Sequence, residues 1–146
     1  MSVSFADLGV SAEVDRSLRA RGIDSPFPIQ ELALPPALAG RDLCGKAPTG
    51  SGKTIAFAIP AVARATGARP GRPRALVLAP TRELAAQIES EIALLAGRQG
   101  PKRVAAFYGG VGFGAQLNAL RRGVDIAVAC PGRLRDLMNR GAANLS

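Results

Sequence analysis

The stretch Ala47-Pro-Thr-Gly-Ser-Gly-Lys-Thr54 carries the clearest chemistry in this 146-residue chain. Gly50 and Gly52 let the backbone curl so that successive N–H groups face one anion. With Thr49 and Ser51 they form a loop that opens onto a predicted helix, whose N-terminus adds partial positive charge. Lys53 can reach terminal phosphates, and the Thr54 hydroxyl can ligate Mg²⁺. The context, after a predicted strand and before a predicted helix, is the one a phosphate loop requires. Residue types and spacing therefore predict a purine nucleoside triphosphate site. The first glycine of the general pattern is Ala47 here. The pattern alone names neither the base nor the reaction.

Three further junctions have the residue types for binding anions. Pro80-Thr81-Arg82-Glu-Leu84 follows the apolar run Arg74 to Ala79. Its Thr81 hydroxyl and N–H, its Arg82 and the start of the next helix suit a phosphate. Gly109 and Gly110 follow the run Val104 to Tyr108 and would let a phosphate approach the backbone closely. Pro131-Gly132-Arg133 follows Asp125 to Ala129. By themselves these stretches also fit an ordinary helix cap beside a solvated arginine, and a plain glycine turn.

The elements that must position these residues follow from periodicity. A first helix is predicted over 11–21, with Ser11 as N-cap, Val14 and Leu18 on one face and Gly22 as the stop. Residues 22–28 read as a turn. A second helix follows with Ile29, Ala33 and Leu34 inward, interrupted near Pro35 and Pro36 and closed by Gly40. Leu43 to Ala47 reads as a short buried strand, followed by the loop and an apolar helix from Lys53. Residues 66–73 read as a polar loop, and 74–79 as a strand covered on both faces. Leu84, Ile88, Ile92 and Leu95 mark one helix face. Strand 104–108, helix 112–122, strand 125–129 and a helix from Pro131 through Asn139 complete the chain. Strand and helix alternate from Leu43 onward, which predicts an α/β domain with a parallel sheet flanked by helices. In such a sheet every junction named above lies at the carboxyl edge, where α/β ligands bind.

Composition narrows the function. The length is that of one domain. At 47% apolar and 21% charged the chain is not disordered by composition. It has no histidine, which excludes His-based triads and histidine metal sites. Its two cysteines, Cys44 and Cys130, lack CxxC spacing; both read as small core residues, and their number fits a reducing, cytoplasmic location. No apolar run is long enough to span a membrane. Net charge is +8, and sixteen of the nineteen basic residues are Arg, the better bidentate partner for phosphate. That charge suits nucleic acid. It also suits biased composition in a chain rich in Ala, Gly and Pro.

The order of motifs resembles the DEAD-box family of ATP-dependent RNA helicases, in superfamily 2. Gly22-Ile-Asp-Ser-Pro-Phe-Pro-Ile-Gln30 looks like the family's Q motif, with Phe5 at the expected upstream position. Ala47 to Thr54 looks like motif I, including its leading Ala, and Pro80 to Leu84 like motif Ia. Gly109-Gly110 is similar to the family's glycine doublet, with Gln116 at the family's spacing, and Cys130-Pro-Gly-Arg133 to its Thr-Pro-Gly-Arg. The resemblance implies the first part of a RecA-like phosphate-loop domain. It divides the chain into a Q-motif helical segment at 1–40 and a partial first RecA-like domain at 41–146. It implies ATP with Mg²⁺ at Phe5, Ile23, Gln30 and 49–54, with Lys53 and Thr54 as the catalytic pair and Thr54 on the metal. It implies an RNA backbone along Pro80, Thr81, Arg82, Gly109, Gly110, Pro131, Gly132 and Arg133. The Gln30 amide can meet both N7 and N6 of adenine but not the same edge of guanine.

Three positions and one missing motif depart from the family pattern. Ile23 stands where an aromatic is usual, which shifts base stacking toward Phe5. Phe27 replaces a small hydroxyl residue, Cys130 replaces a threonine and weakens one phosphate contact, and no Asp-Glu pair occurs anywhere. The expectation is a helicase segment that binds ATP and RNA but does not hydrolyse ATP alone, because phosphoryl transfer needs the acidic motif and a second domain. Strands that would lie beside the phosphate-loop strand are not in the sequence. Open sheet edges are therefore expected, and with them marginal stability or a strand-exchanged dimer. The rival readings are a superfamily 2 translocase on DNA, a small phosphate-loop kinase, and a non-catalytic nucleotide- or RNA-binding module.

Overall fold

In the computed structural model, residues 2–97 and 103–146 are described. A 3-10 turn (Ala6–Leu8), six α-helices and three strands are present among them, the last two in the order α1 (Ala12–Arg19), α2 (Pro28–Leu38), α3 (Lys53–Arg64), β1 (Ala75–Leu78), α4 (Arg82–Ala96), β2 (Val104–Phe107), α5 (Gly114–Arg122), β3 (Ile126–Ala129) and α6 (Pro131–Asn139). The strands form one sheet in the order β1-β3-β2, parallel throughout. This is the expected α/β architecture.

Successive residues of a strand point to opposite faces. Ile126 and Val128 of β3 therefore enter one core with Val14, Leu18, Leu34, Ile59, Ile88 and Ile92 from α1–α4. Ala127 and Ala129 enter a second core with Leu120 of α5 and Leu134 and Leu137 of α6. The central strand is buried on both faces, which is why its sequence reads as an unbroken apolar run. The Ser11 hydroxyl caps α1 by accepting from the Val14 N–H at 3.4 Å. Thr81 caps α4 in the same way, from the Leu84 N–H at 3.2 Å.

Five sequence expectations fail here, each for a physical reason. Leu43 to Ala47 forms no strand. Residues 41–46 are exposed, because none of the three described strands pairs with them. β1 is covered on one face only, with Leu78 56% exposed. By register Leu76 and Leu78 share a face with Ala127 and Ala129, but the second core ends at β3 and leaves them open. α2 continues through Pro35 and Pro36. The carbonyls that lose their N–H partners belong to Glu31 and Leu32, which are solvent-exposed, so water can satisfy them. Leu84 faces outward and Ala85 takes the core position in α4. Cys44 is exposed rather than a core residue, whereas Cys130 is half-buried against the first core. No helix among the described residues is long and apolar enough to cross a membrane.

Candidate nucleotide and nucleic-acid site

The phosphate loop is a turn onto α3. Gly50 and Gly52 adopt φ of +79° and +82°, the left-handed region that costs other residues energy. The loop is closed on itself. The Ser51 hydroxyl donates to Pro48 O at 2.5 Å, and Lys53 Nζ donates to Ala47 O at 2.7 Å. Among the described residues, the N–H groups of Gly50, Gly52, Lys53 and Thr54 make no backbone hydrogen bond. They remain available to an anion. Thr49, Gly50 and Lys53 are exposed, and Ser51, Gly52 and Thr54 are half-buried. No group of three acidic, cysteine or histidine side chains is present among the described residues. The chain thus offers Mg²⁺ the Thr54 hydroxyl, which fits an ion held mostly by nucleotide phosphates.

Gln30 joins the turn before α2 to this loop. Its side chain is 0% exposed. Nε2 donates to Gly52 O at 3.0 Å, and Oε1 accepts from the Phe27 N–H at 2.9 Å. The second bond is half of a capping box at the start of α2, with Gln30 at its third position. One hydrogen and one lone pair of the amide stay uncommitted. The sequence suggests an open adenine-reading edge; the structure instead encloses the amide between the two loops. A Cβ at Gly52 would lie 2.3 Å from Gln30 Nε2 and 2.9 Å from Phe27 Cδ2. Glycine is therefore required there for space as well as conformation. Phe5 is also fully buried, in the first core. It presents no ring face to a base in this conformation, and Ile23 packs half-buried against the same core.

The other three junctions all meet at the carboxyl edge of the sheet, because the strands preceding them are parallel. Pro80, Thr81, Arg82, Gly109, Gly110, Pro131 and Gly132 are exposed there. Arg82 lies 5.8 Å from the Tyr108 ring centroid, and a Cβ at Gly110 would stand 3.1 Å from Arg82 Nη1. Gly110 has φ +83°. Cys130 begins α6 without a side-chain cap, in keeping with the weaker hydrogen bonding of a thiol.

Arg133 departs from its expected role as an exposed phosphate ligand. It is 9% exposed. Nη1 donates to Gln116 Oε1 at 3.2 Å and Nη2 to Val111 O at 2.9 Å, while Gln116 Nε2 donates to Tyr108 O at 3.0 Å. The guanidinium stacks 3.9 Å from the Phe113 ring, and Arg140 sits 3.7 Å from that ring. Arg133 therefore holds the 108–113 loop in place rather than facing a ligand. Sequence reasoning missed Phe113 and Arg140, since no local spacing links them.

A sequence model described as DEAD/DEAH box helicase matches residues 27–146. The chain belongs to that family. It is 48% identical, over 99% of its length, to the mitochondrial DEAD-box ATP-dependent RNA helicase 9 of Arabidopsis thaliana, of which it covers 24%. It is 48% identical to the chloroplastic DEAD-box ATP-dependent RNA helicase 3A of Zea mays, covering 98% of this chain and 20% of that one. Among solved structures, a DEAD box protein from Methanococcus jannaschii aligns with TM-score 0.85 and 36% identity, over 97% of this chain and 38% of that one. The RNA-helicase Prp28 of Chaetomium thermophilum, bound to ADP, aligns with TM-score 0.87 and 41% identity, over 98% and 36%. The chain thus has the RecA-like fold of DEAD-box helicase domains, and it spans at most a quarter of these two relatives' length.

Proposed function

We propose that this chain is the ATP- and RNA-binding first part of a DEAD-box RNA helicase, residues 1–40 forming the Q-motif segment and 41–146 part of the first RecA-like domain. The observation that carries the reading is the bond from Gln30 Nε2 to Gly52 O. It couples a residue able to read adenine to the loop able to hold its phosphates. The amide's remaining hydrogen suits adenine N7 and its remaining lone pair suits the N6 amino group. Reaching them requires the cover over Gln30 to move.

With nucleotide bound, Lys53 would exchange the Ala47 carbonyl for terminal phosphate oxygens, and the free N–H groups at the start of α3 would face the phosphates. The Thr54 hydroxyl would be the chain's ligand to Mg²⁺, which would supply charge neutralisation on those oxygens. RNA tracks past Thr81, Arg82, Gly109, Gly110, Pro131 and Gly132 through its phosphates, which gives little sequence preference. Hydrolysis and duplex separation would need the further carboxylates and transition-state arginines of a longer protein, a reading supported by the quarter or less of the Arabidopsis and Zea relatives' length that the chain spans.

The test is a titration with fluorescent ADP and GDP on the wild type and on Gln30→Ala and Gln30→Glu, with folding checked by circular dichroism. ADP should bind more tightly than GDP, and both substitutions should erase the preference. Equal binding of ADP and GDP by the wild type would refute the role given to Gln30.

A further inference from the structure

The edge of the sheet opposite the motifs is as basic as the edge that bears them. Arg74 and Arg103 stand immediately before β1 and β2. The 66–74 loop and the C-terminal end of α5 meet them there. The Gly71 N–H donates to Leu120 O at 2.9 Å, and the Asn144 N–H donates to Gly71 O at 2.7 Å. A Cβ at Gly123 would lie 4.0 Å from the Arg69 carbonyl carbon, and Arg103 Nη1 donates to Arg122 O. Six arginines, at 69, 72, 74, 103, 121 and 122, are thereby gathered on one surface, all exposed.

Among the described residues none of them is in an ion pair. Both ion pairs among the described residues, Arg19–Asp15 and Arg21–Glu91, involve other arginines. The one acid within 66–74, 103 and 118–125 is Asp125. It is 9% exposed, and its two oxygens accept the backbone N–H groups of Ala68 at 3.2 Å and Arg103 at 2.8 Å. It anchors the arginine-bearing backbone instead of pairing with guanidinium groups. The loop itself is held in shape by the bridge between Arg69 and Arg72 and by the Gly71 turn at φ +67°. A hollow of about 330 Å³ opens between Arg69, Arg72, Arg74 and Asn144.

We infer that this amino-edge surface is a second RNA-binding site, one that grips a single strand through its phosphates. The inference rests on the RNA reading above for the identity of its partner. Guanidinium groups match phosphate geometry bidentately. Six of them on a pinned surface, none in an ion pair among the described residues and with the Asp125 carboxylate committed to backbone N–H groups, form an electrostatic footprint for a phosphodiester chain. The arginine segments carry no exposed bulky apolar side chain, which an interfacial membrane anchor uses.

The test uses Arg69→Gln, Arg72→Gln and Arg74→Gln together, with Arg82→Gln as the carboxyl-edge comparison. Binding of a fluorescein-labelled 20-nucleotide oligo(U) is read by anisotropy across a salt series, with ADP affinity and melting temperature as controls. The triple variant should bind RNA roughly tenfold more weakly at low salt, with the slope of log K against log salt reduced by about 2, three contacts at about 0.7 each. ADP affinity and melting should not change, because the three side chains are exposed. RNA affinity within twofold of wild type with an unchanged slope would overturn the amino-edge site. If Arg82→Gln lost binding in that same experiment, the RNA reading would stand without it. No RNA binding by the wild type would overturn both. Capture of phosphatidylserine vesicles that the triple variant abolishes, with RNA binding intact, would assign the surface to a membrane and reject RNA.

Discussion

Replacing Gly52 by alanine should weaken the fold far more than replacing Gly50, although the two glycines share a loop and a φ near +80°. At Gly50 a Cβ meets nothing within 4 Å. The cost is then backbone strain alone, about 1–2 kcal/mol. At Gly52 the Cβ would stand 2.3 Å from Gln30 Nε2, so the amide must leave. That breaks its bonds to Gly52 O and the Phe27 N–H inside a fully buried site. An unsatisfied buried polar group costs about 1–3 kcal/mol, so Gly52→Ala should lose about 2 kcal/mol more than Gly50→Ala. Phe27, at 2.9 Å, is half exposed and can swing aside. The assay is urea denaturation followed by circular dichroism, on both single variants and on Gly52→Ala in a Gln30→Ala background. Without the amide, the Gly52 substitution should cost no more than the Gly50 one, and the cycle should show a coupling of about 2 kcal/mol. Equal costs for the two glycines, or an undiminished Gly52 cost in the Gln30→Ala background, would refute the claim that Gln30 clamps the phosphate loop.

Arg133→Ala should destabilise the chain by about 1–3 kcal/mol, since it strands Gln116 Oε1 in a buried setting, leaves the Val111 carbonyl to water and removes the stack on Phe113. Arg133→Lys, which cannot reproduce the fork, should recover only part of this; thermal melts of the two variants would decide, and a loss below about 0.5 kcal/mol for the alanine would contradict the positioning role. The open edge of β1, with Leu76 and Leu78 exposed, should pair with a second copy of the chain. Light scattering should then show a concentration-dependent dimer that Leu78→Lys abolishes, and a wild-type monomer at high concentration would count against the pairing.

The sequence by itself determined which local chemistry the chain carries. Glycine spacing before Lys53 and Thr54 demanded a tight turn onto a helix, because only glycine adopts its backbone angles freely. Apolar periodicity marked α1, α2 and α4, apolar runs marked all three strands of the sheet, and Pro131 opens α6 where its missing N–H costs nothing. Parallel pairing, inferred from the alternation of strand and helix, placed Thr81, Arg82, Gly109 and Gly132 on one edge. Tertiary structure decided which side chains face a ligand and which face each other. Arg133 and an exposed Arg82 look alike as letters, yet one lies within hydrogen-bond reach of Gln116 across 17 positions and the other does not. Leu43 to Ala47 has the composition of a buried strand but no strand beside it, and a strand exists only as one half of a ladder. Gln30 shows the same dependence most clearly. Its amide could serve water, adenine or the neighbouring loop, and the approach of Gly52, 22 residues away, selects the loop.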